Sequence, residues 1–337
     1  MPRASFCLTQ RGKKSRVGVN SSSQALACPA LLLPWKTTHY NQSDMQRDNA
    51  EEMKLFRLPN GIRVWNTPQS GGETHFLHRE IFVRRCYERN GVTVKDGDVV
   101  FDVGANIGMF SLSLMERFQG LRIYCWEPVP RTYSCLVRNL DDSPSRAKHQ
   151  VVTFNLGAGK ADEQTTIEFY PAVPGNSSIY ATQKRRDFVS LLHDVRWRDF
   201  WRSNKLRALI LAPVFPFRKK LLGSVFERAV SQGLSIPCDI RTLSGMIREY
   251  RVERIDLLKI DVEGAEIDVL TGIEDSDWAL IRQISMEVDS SNKHQLPDLI
   301  SRLRGLGFDH TTIENIFGGP SSPDDRLPCT LFAVRSR

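Results

Sequence analysis

The chain has no long apolar run. Nothing in its 337 residues approaches the roughly 18–20 apolar residues of a membrane-spanning helix. The longest candidate, 206–217, contains Arg207 and two prolines and leads into Arg218-Lys219-Lys220. The cysteines have no pattern. There are seven, none placed as a CxxC or at metal-ligand spacing, so they read as reduced thiols in a reducing, cytoplasmic compartment. Acid is missing from the first 43 residues, which hold six basic side chains. That leader, rich in Ser, Ala, Leu and Arg, has the composition of an organellar transit peptide. Its other readings are a disordered tail, or a stretch upstream of a start at Met45 or Met53. Its apolar patch is interrupted by Pro29 and Pro34 and makes a poor secretory signal.

The net charge of +7 is also unevenly placed. Residues 184–222 carry eleven basic and three acidic side chains, which with the leader leaves everything else at −7. A nucleic-acid binder would spread positive charge over the domain itself, so nucleic acid is not the expected partner.

Three regions follow: a leader at 1–50, an N-terminal hairpin and helix cap at 51–95, and a main domain at 96–337 with a basic insert at about 184–235. In the cap, Pro59-Asn60-Gly61 turns a hairpin and a helix is expected around 74–88. Strands are expected at 99–103, 121–126, 150–155, 165–170, 255–260 and 282–288, with helices at about 109–118, 130–140, 242–250, from 264 and at 294–304. Residues 171–240 interrupt this pattern. Two last strands, near 307–313 and 329–335, are joined by a short turn-rich connection and should be antiparallel. Strands alternating with helices give an α/β fold, a mostly parallel sheet with helices on both faces. In such a sheet the ligand lies at the carboxyl ends of the strands, near the switch point. The residues there are Asp102, Glu127, Asn155, Asp261 and Asp289.

What the chain does have is the run VVFDVGANIGMFSLSL at 99–114, a strand, a glycine turn and a helix start. Gly104 and Gly108 let the backbone approach a ligand, and the helix start offers unpaired N–H groups. Ala105 and Asn106 stand where a dinucleotide site uses a further glycine for the pyrophosphate. Glu127, 19 residues after Gly108, is placed to accept hydrogen bonds from both ribose hydroxyls. A ribose without a pyrophosphate suggests S-adenosylmethionine, whose positive groups suit Asp102 and Asp261. The expected cofactor-binding set is Asp102, Gly104, Ala105, Asn106, Gly108, Glu127, Pro128, Asn155 and Asp261. A second block, 255–273, crowds Asp261, Glu263 and Glu266 at one strand-to-helix junction. For Glu266 an equal reading is that it only complements the helix dipole.

FDVGANIG, Glu127-Pro128 and LLKIDVEGAE followed by V-L-x-G resemble the FkbM family of S-adenosylmethionine-dependent methyltransferases over roughly residues 80–335. The Pro174–Ser178 segment, PGNSS, is similar to members associated with polyketide and peptide assembly lines. The resemblance implies a Rossmann-like class I methyltransferase fold, with a seven-stranded sheet ending in an antiparallel pair. It also implies methyl transfer to a hydroxyl of a sugar, macrolide or related metabolite.

An alcohol is a poor nucleophile at neutral pH, so its proton needs a base or a metal. The catalytic candidates are Asp261, with Glu263 or Glu266 assisting; Glu287 and Asp289 are further strand-end carboxylates. A divalent cation on Asp261 and Asp289 is the weaker reading, because no histidine joins them at ligand spacing. His75 and His78 read as packing or surface residues. Pro174–Ser178 is expected to be either a lid over the cofactor, with Asn176 and Ser177 facing substrate, or an ordinary turn. The insert interleaves Trp197, Phe200 and Trp201 with Arg196, Arg198, Arg202, Lys205 and Arg207. It reads first as a solvated helical lid, then as a surface for an anionic membrane or an acidic carrier protein. The rival functions are an RNA methyltransferase, an NAD-dependent dehydrogenase and a non-catalytic module on the same fold.

Overall fold

Two carboxyl-end turns are brought together by the order in which the strands are laid down. The computed structural model describes residues 53–171, 173–180, 233–315, 321 and 328–336. The leader and nearly all of the basic insert, with every reading placed on them, lie outside these residues.

β1 (Lys54–Arg57) and β2 (Arg63–Asn66) form the expected hairpin. α1 (Gly71–Leu77) continues into a π-helical turn at His78–Val83, so this helix starts and stops earlier than its sequence suggests. There follow β3 (Val99–Val103), α2 (Met109–Met115), β4 (Arg122–Trp126), α3 (Pro130–Asp141), β5 (Gln150–Phe154), β6 (Gly157–Ala158) and β7 (Glu163–Phe169). After a short 3-10 turn at Pro174–Asn176 come β8 (Leu234–Arg241), α4 (Leu243–Glu249), β9 (Leu257–Ile260), α5 (Glu266–Thr271), β10 (Gln283–Val288), α6 (Leu296–Gly305), β11 (His310–Asn315) and β12 (Cys329–Val334).

The main sheet has seven strands in the order β11-β12-β10-β9-β3-β4-β5. All pairings are parallel except those of β12 with β10 and β11. This is the class I methyltransferase arrangement. From β3 the chain builds outward through β4 and β5; from β9 it builds the other way through β10. The switch point therefore lies between β3 and β9.

The central strands are apolar on both faces because both are covered. Val99, Phe101 and Val103 pack with residues of α4, α5 and α6, while Val100 packs with α2 and α3. α3 shows why such segments become helices. Pro130 pre-sets the first turn, and Thr132, Cys135, Leu136, Asn139 and Leu140 form one buried stripe at helical spacing. Each fully buried leucine of that stripe contributes about 1.5–3 kcal/mol. The five cysteines among the described residues are free thiols. No helix among these residues is long and apolar enough to cross a membrane.

A further element, β8, departs from expectation. β8 lies within the stretch read as an interruption. It pairs antiparallel with β7 and parallel with β6 in a separate three-stranded sheet. Its first four residues are at most half-buried and include Pro237, so its apolar alternation is too short to stand out in sequence.

Candidate active site

The turn after β3 runs through Gly104 (φ +75°), Asn106 (φ +50°) and Gly108 (φ +84°). Gly104 and Ala105 donate backbone N–H bonds to the Trp126 carbonyl at the end of β4, at 3.0 and 2.8 Å. The turn after β9 presses against this one. A Cβ added at Gly104 would stand 1.8 Å from the Asp261 carbonyl oxygen, so glycine is obligatory there. Glu263, in the same second turn, holds a left-handed φ of +55°, which a residue with a Cβ adopts only under local constraint.

Glu127 ends β4. Its Oε2 accepts from the Asn106 N–H at 3.0 Å and its Oε1 from the Val129 N–H at 2.9 Å. Burial pushes its pKa up to about 7, against the pull of those two N–H donors. Asn155, after β5, donates to the carbonyls of Glu127 and Pro128 at 2.9 and 3.0 Å and so fixes the loop that carries them.

Under the floor between β3 and β9 lies an ionic chain. Parallel register places Asp102 opposite Lys259. Both are buried, with Lys259 Nζ 3.1 Å from Asp102 Oδ1 and 3.7 Å from Asp261 Oδ2. Lys259 also donates to the Gly104 carbonyl at 2.7 Å and faces the Tyr87 ring, 5.1 Å from its centroid. Tyr87 donates its hydroxyl to Asp261 Oδ2 at 2.7 Å. Burial alone would lower the Lys259 pKa, but the Asp102 and Asp261 carboxylates outweigh it and raise it. Burial first, and then Asp261, holds the Tyr87 hydroxyl well above its ordinary range, so it stays a neutral donor.

The Pro174–Ser178 loop crosses the opening and is tied at both sides. Gly175 donates its N–H to Glu73 Oε1 of α1 at 2.6 Å. On the other side Ser178 donates to the Glu263 carbonyl at 2.6 Å. Beyond it Tyr180 donates to Asp268 of α5. Glu266, at the start of α5, accepts from the Gly264 N–H and from Asn292 Nδ2, each at 2.6 Å, and so ties the β9 turn to the segment after β10. Burial pushes its pKa up to about 7. Asp289 accepts from the Ser291 N–H at 3.1 Å and caps the following 3-10 turn. Among the described residues no group of three or more His, Cys, Asp or Glu could hold a metal ion.

Between these elements lies a cleft of about 930 Å³, the size of a small-molecule site. A family profile described as "Methyltransferase FkbM domain" matches residues 102–309, which run from the end of β3 through α6 and include both turns. The chain belongs to the FkbM methyltransferase family. It is 33% identical over 267 residues to the 31-O-demethyl-FK506 methyltransferase FkbM of Streptomyces tacrolimicus, covering 77% of this chain and 90% of that one. It is 30% identical over 240 residues to Methyltransferase 1 of Beauveria bassiana, covering 71% and 83%. It is also 33% identical over 259 residues to the AMB antimetabolite synthetase AmbE of Pseudomonas aeruginosa, covering 75% of this chain and 11% of that one. Among solved structures, the METTL16 methyltransferase domain superimposes with a TM-score of 0.39 at 11% identity, covering 88% of this chain and 92% of that one. The fold assignment rests on the strand order. As an FkbM family member the protein is an S-adenosylmethionine-dependent methyltransferase.

In this methyltransferase the expected site residues divide in two. Gly104, Asn106, Glu127, Pro128, Asp261 and Glu263 line the cleft. Asp102, Ala105, Gly108, Asn155 and Glu266 lie behind its wall. Asp102 is turned to the α2 side, where it accepts from Ser111 at 2.7 Å; Ala105 is buried among apolar side chains, and a Cβ at Gly108 would meet Leu136. Sequence reasoning did not single out Glu73, Tyr87 or Lys259. Only Lys259 carried a signal: a lysine inside the apolar run LLKI must be buried, and a buried lysine needs partners.

Proposed function

We propose that the protein transfers the methyl group of S-adenosylmethionine to a hydroxyl oxygen of a small-molecule acceptor, of the sugar, macrolide or polyketide-like class. The observation that carries this is Glu127. Its carboxylate closes the first glycine turn, where it can accept from ribose hydroxyls, and Ala105 and Asn106 stand where a dinucleotide site uses a further glycine for the pyrophosphate. The O-methyl preference is supported by the Streptomyces relative, whose name specifies an O-demethyl acceptor.

The residues present fit the methyl donor. Asn106 Oδ1 is a buried acceptor without a hydrogen-bond partner among the described residues, which suits a ligand rich in donors. Glu127 would take the ribose hydroxyls, with Pro128 beside them. Gly104 and Asn106 would take the amino-acid end, and Asp102 acts from behind through Lys259. Bound S-adenosylmethionine supplies a methyl group already activated by a sulfonium, so the protein's task is orientation and desolvation. Asp261, fixed by Tyr87 and Lys259, accepts a hydrogen bond from a neighbouring polar group of the acceptor and so aims the reacting oxygen. Glu263 stands beside it, and Glu266 sets the turn on which both ride. The Pro174–Ser178 loop is the lid that excludes water. The acceptor reaches the cleft free or on an acidic carrier protein received by the basic insert.

The test is incubation with methyl-labelled S-adenosylmethionine and a metabolite extract, followed by mass spectrometry. Label on a hydroxyl oxygen is expected. Label only on nitrogen, on carbon or in RNA would overturn the reading.

A further inference from the structure

Four elements converge at one point of the cleft rim. Glu73 comes from α1, Asn106 from the first turn, Glu263 from the second and Gly175 from the lid. Glu73 Oε1 receives the Gly175 N–H at 2.6 Å. A Cβ on Gly175 would lie 2.7 Å from that same oxygen and 3.1 Å from Asn106 Nδ2, so the carboxylate and the amide face one another across a glycine. Glu73 lines the cleft, yet its Oε2 is shut from water and has no hydrogen-bond partner.

We propose that Glu73 is the general base of the reaction, and that its Oε2, uncovered when the lid at Gly175 gives way to the acceptor, takes the proton of the acceptor hydroxyl. This rests on the O-methylation reading above. A base must be an anion that other donors have not already quieted. Asp261 Oδ2 already accepts from the Tyr87 hydroxyl at 2.7 Å and stands 3.7 Å from Lys259 Nζ, so that oxygen is engaged by other donors. Among the described residues Glu73 has one N–H donor and no ion pair. The ionised group acting on it is Glu263, of the same sign; Gly175 and Asn106 bring none. Burial, and then Glu263, push its pKa up to about 8, close to where a general base works best. The step balances. The acceptor's O–H bond breaks as its oxygen forms the O–CH₃ bond. The C–S bond breaks with its pair left on sulfur, and the proton ends on Oε2. One negative and one positive charge become two neutral groups, which a dry site favours.

The test compares wild type with Glu73→Gln for transfer of labelled methyl into the metabolite extract, alongside calorimetric binding of S-adenosylhomocysteine. Glutamine keeps an oxygen for the Gly175 N–H, so the lid contact survives. The expected result is a loss of kcat of about 10²- to 10⁴-fold with S-adenosylhomocysteine affinity within threefold. Glu73→Asp should keep measurable turnover. At saturating S-adenosylmethionine the wild-type rate of transfer should fall with a slope of one proton below pH about 8, and Glu73→Gln should lack that limb. Turnover of Glu73→Gln within threefold of wild type, or an unchanged acid limb, overturns the proposal. No labelled hydroxyl product from wild type overturns the O-methylation reading and this proposal with it. A hydroxyl product that both enzymes form equally overturns only this one.

Discussion

Lys259→Met removes the one cation from the chain that joins the two ligand-facing turns. Nζ stands 3.1 Å from Asp102 Oδ1 and 3.7 Å from Asp261 Oδ2, and both Lys259 and Asp102 are buried. At an effective dielectric constant of about 20, charges at such distances attract by roughly 4–5 kcal/mol each. Most of that attraction offsets the cost of taking the charges out of water. The cation's loss leaves the cost in place, because Asp102 then sits uncompensated beneath the sheet. Breaking a buried pair in this way costs about 3–5 kcal/mol. For a domain of this size each kcal/mol moves Tm by about 2–4 °C, so the variant should melt roughly 6–20 °C lower. Differential scanning calorimetry at pH 7 reads this directly. Lys259→Met/Asp102→Asn removes both charges, while the asparagine can still accept from Ser111, and should recover a large part of the loss. A single variant melting within about 2 °C of wild type, or a double variant no more stable than the single, would mean that Lys259 does not compensate Asp102.

Three further outcomes are expected. Gly104→Ala should yield little folded protein, or protein that no longer binds S-adenosylhomocysteine, because its methyl would overlap the Asp261 carbonyl at 1.8 Å; soluble expression and calorimetry check it. Glu127→Gln should weaken S-adenosylhomocysteine binding by about 10- to 100-fold through loss of charge-assisted hydrogen bonds. In wild type the same affinity should fall below pH about 7, as the Glu127 carboxylate takes up a proton. Stability should also depend on pH. Glu127 and Glu266 at about 7 and Glu73 at about 8 are all raised, so the stability they contribute is full below the ordinary glutamate range and is lost as pH rises through those values. Urea titrations at pH 5 and 8.5 should show a smaller loss for Glu73→Gln than for wild type, and equal losses would contradict the burial argument.

How far the site was legible follows from how local each part is. The strand–turn–helix at 99–114 and the block at 255–273 are each written in consecutive residues, so their strands, glycines and lining side chains could be read directly. Register is not local. Asp102 ends a strand in sequence and reads as ligand-facing; pairing sets it opposite Lys259 and turns it towards Ser111. The cap is less legible still. Tyr87 is 174 residues from the Asp261 it bonds, and Glu73 is 102 residues from Gly175, so no periodicity places either over the cleft. β8 was hidden for another reason: it belongs to a second sheet and follows a long insert, where alternation of strand and helix no longer guides the reading.

The cleft therefore holds carboxylates of two kinds, and their surroundings assign different tasks. Asp261 is held in place by a hydroxyl and an ammonium. Glu73 is dry, has one backbone donor and lies near another acid, so it holds a proton more readily. One carboxylate anchored by side-chain donors and one with an oxygen left open divide orientation from proton transfer. Asp261→Asn should then keep S-adenosylhomocysteine binding, because the asparagine oxygen can still accept from Tyr87. It should raise KM for the acceptor by about tenfold, the worth of one hydrogen bond to a charged group. The acid limb of its pH–rate profile should persist. If instead that limb vanishes in Asp261→Asn and survives in Glu73→Gln, the two roles are reversed. Asp261 would then remove the proton despite its partners, and Glu73 would only fasten the lid.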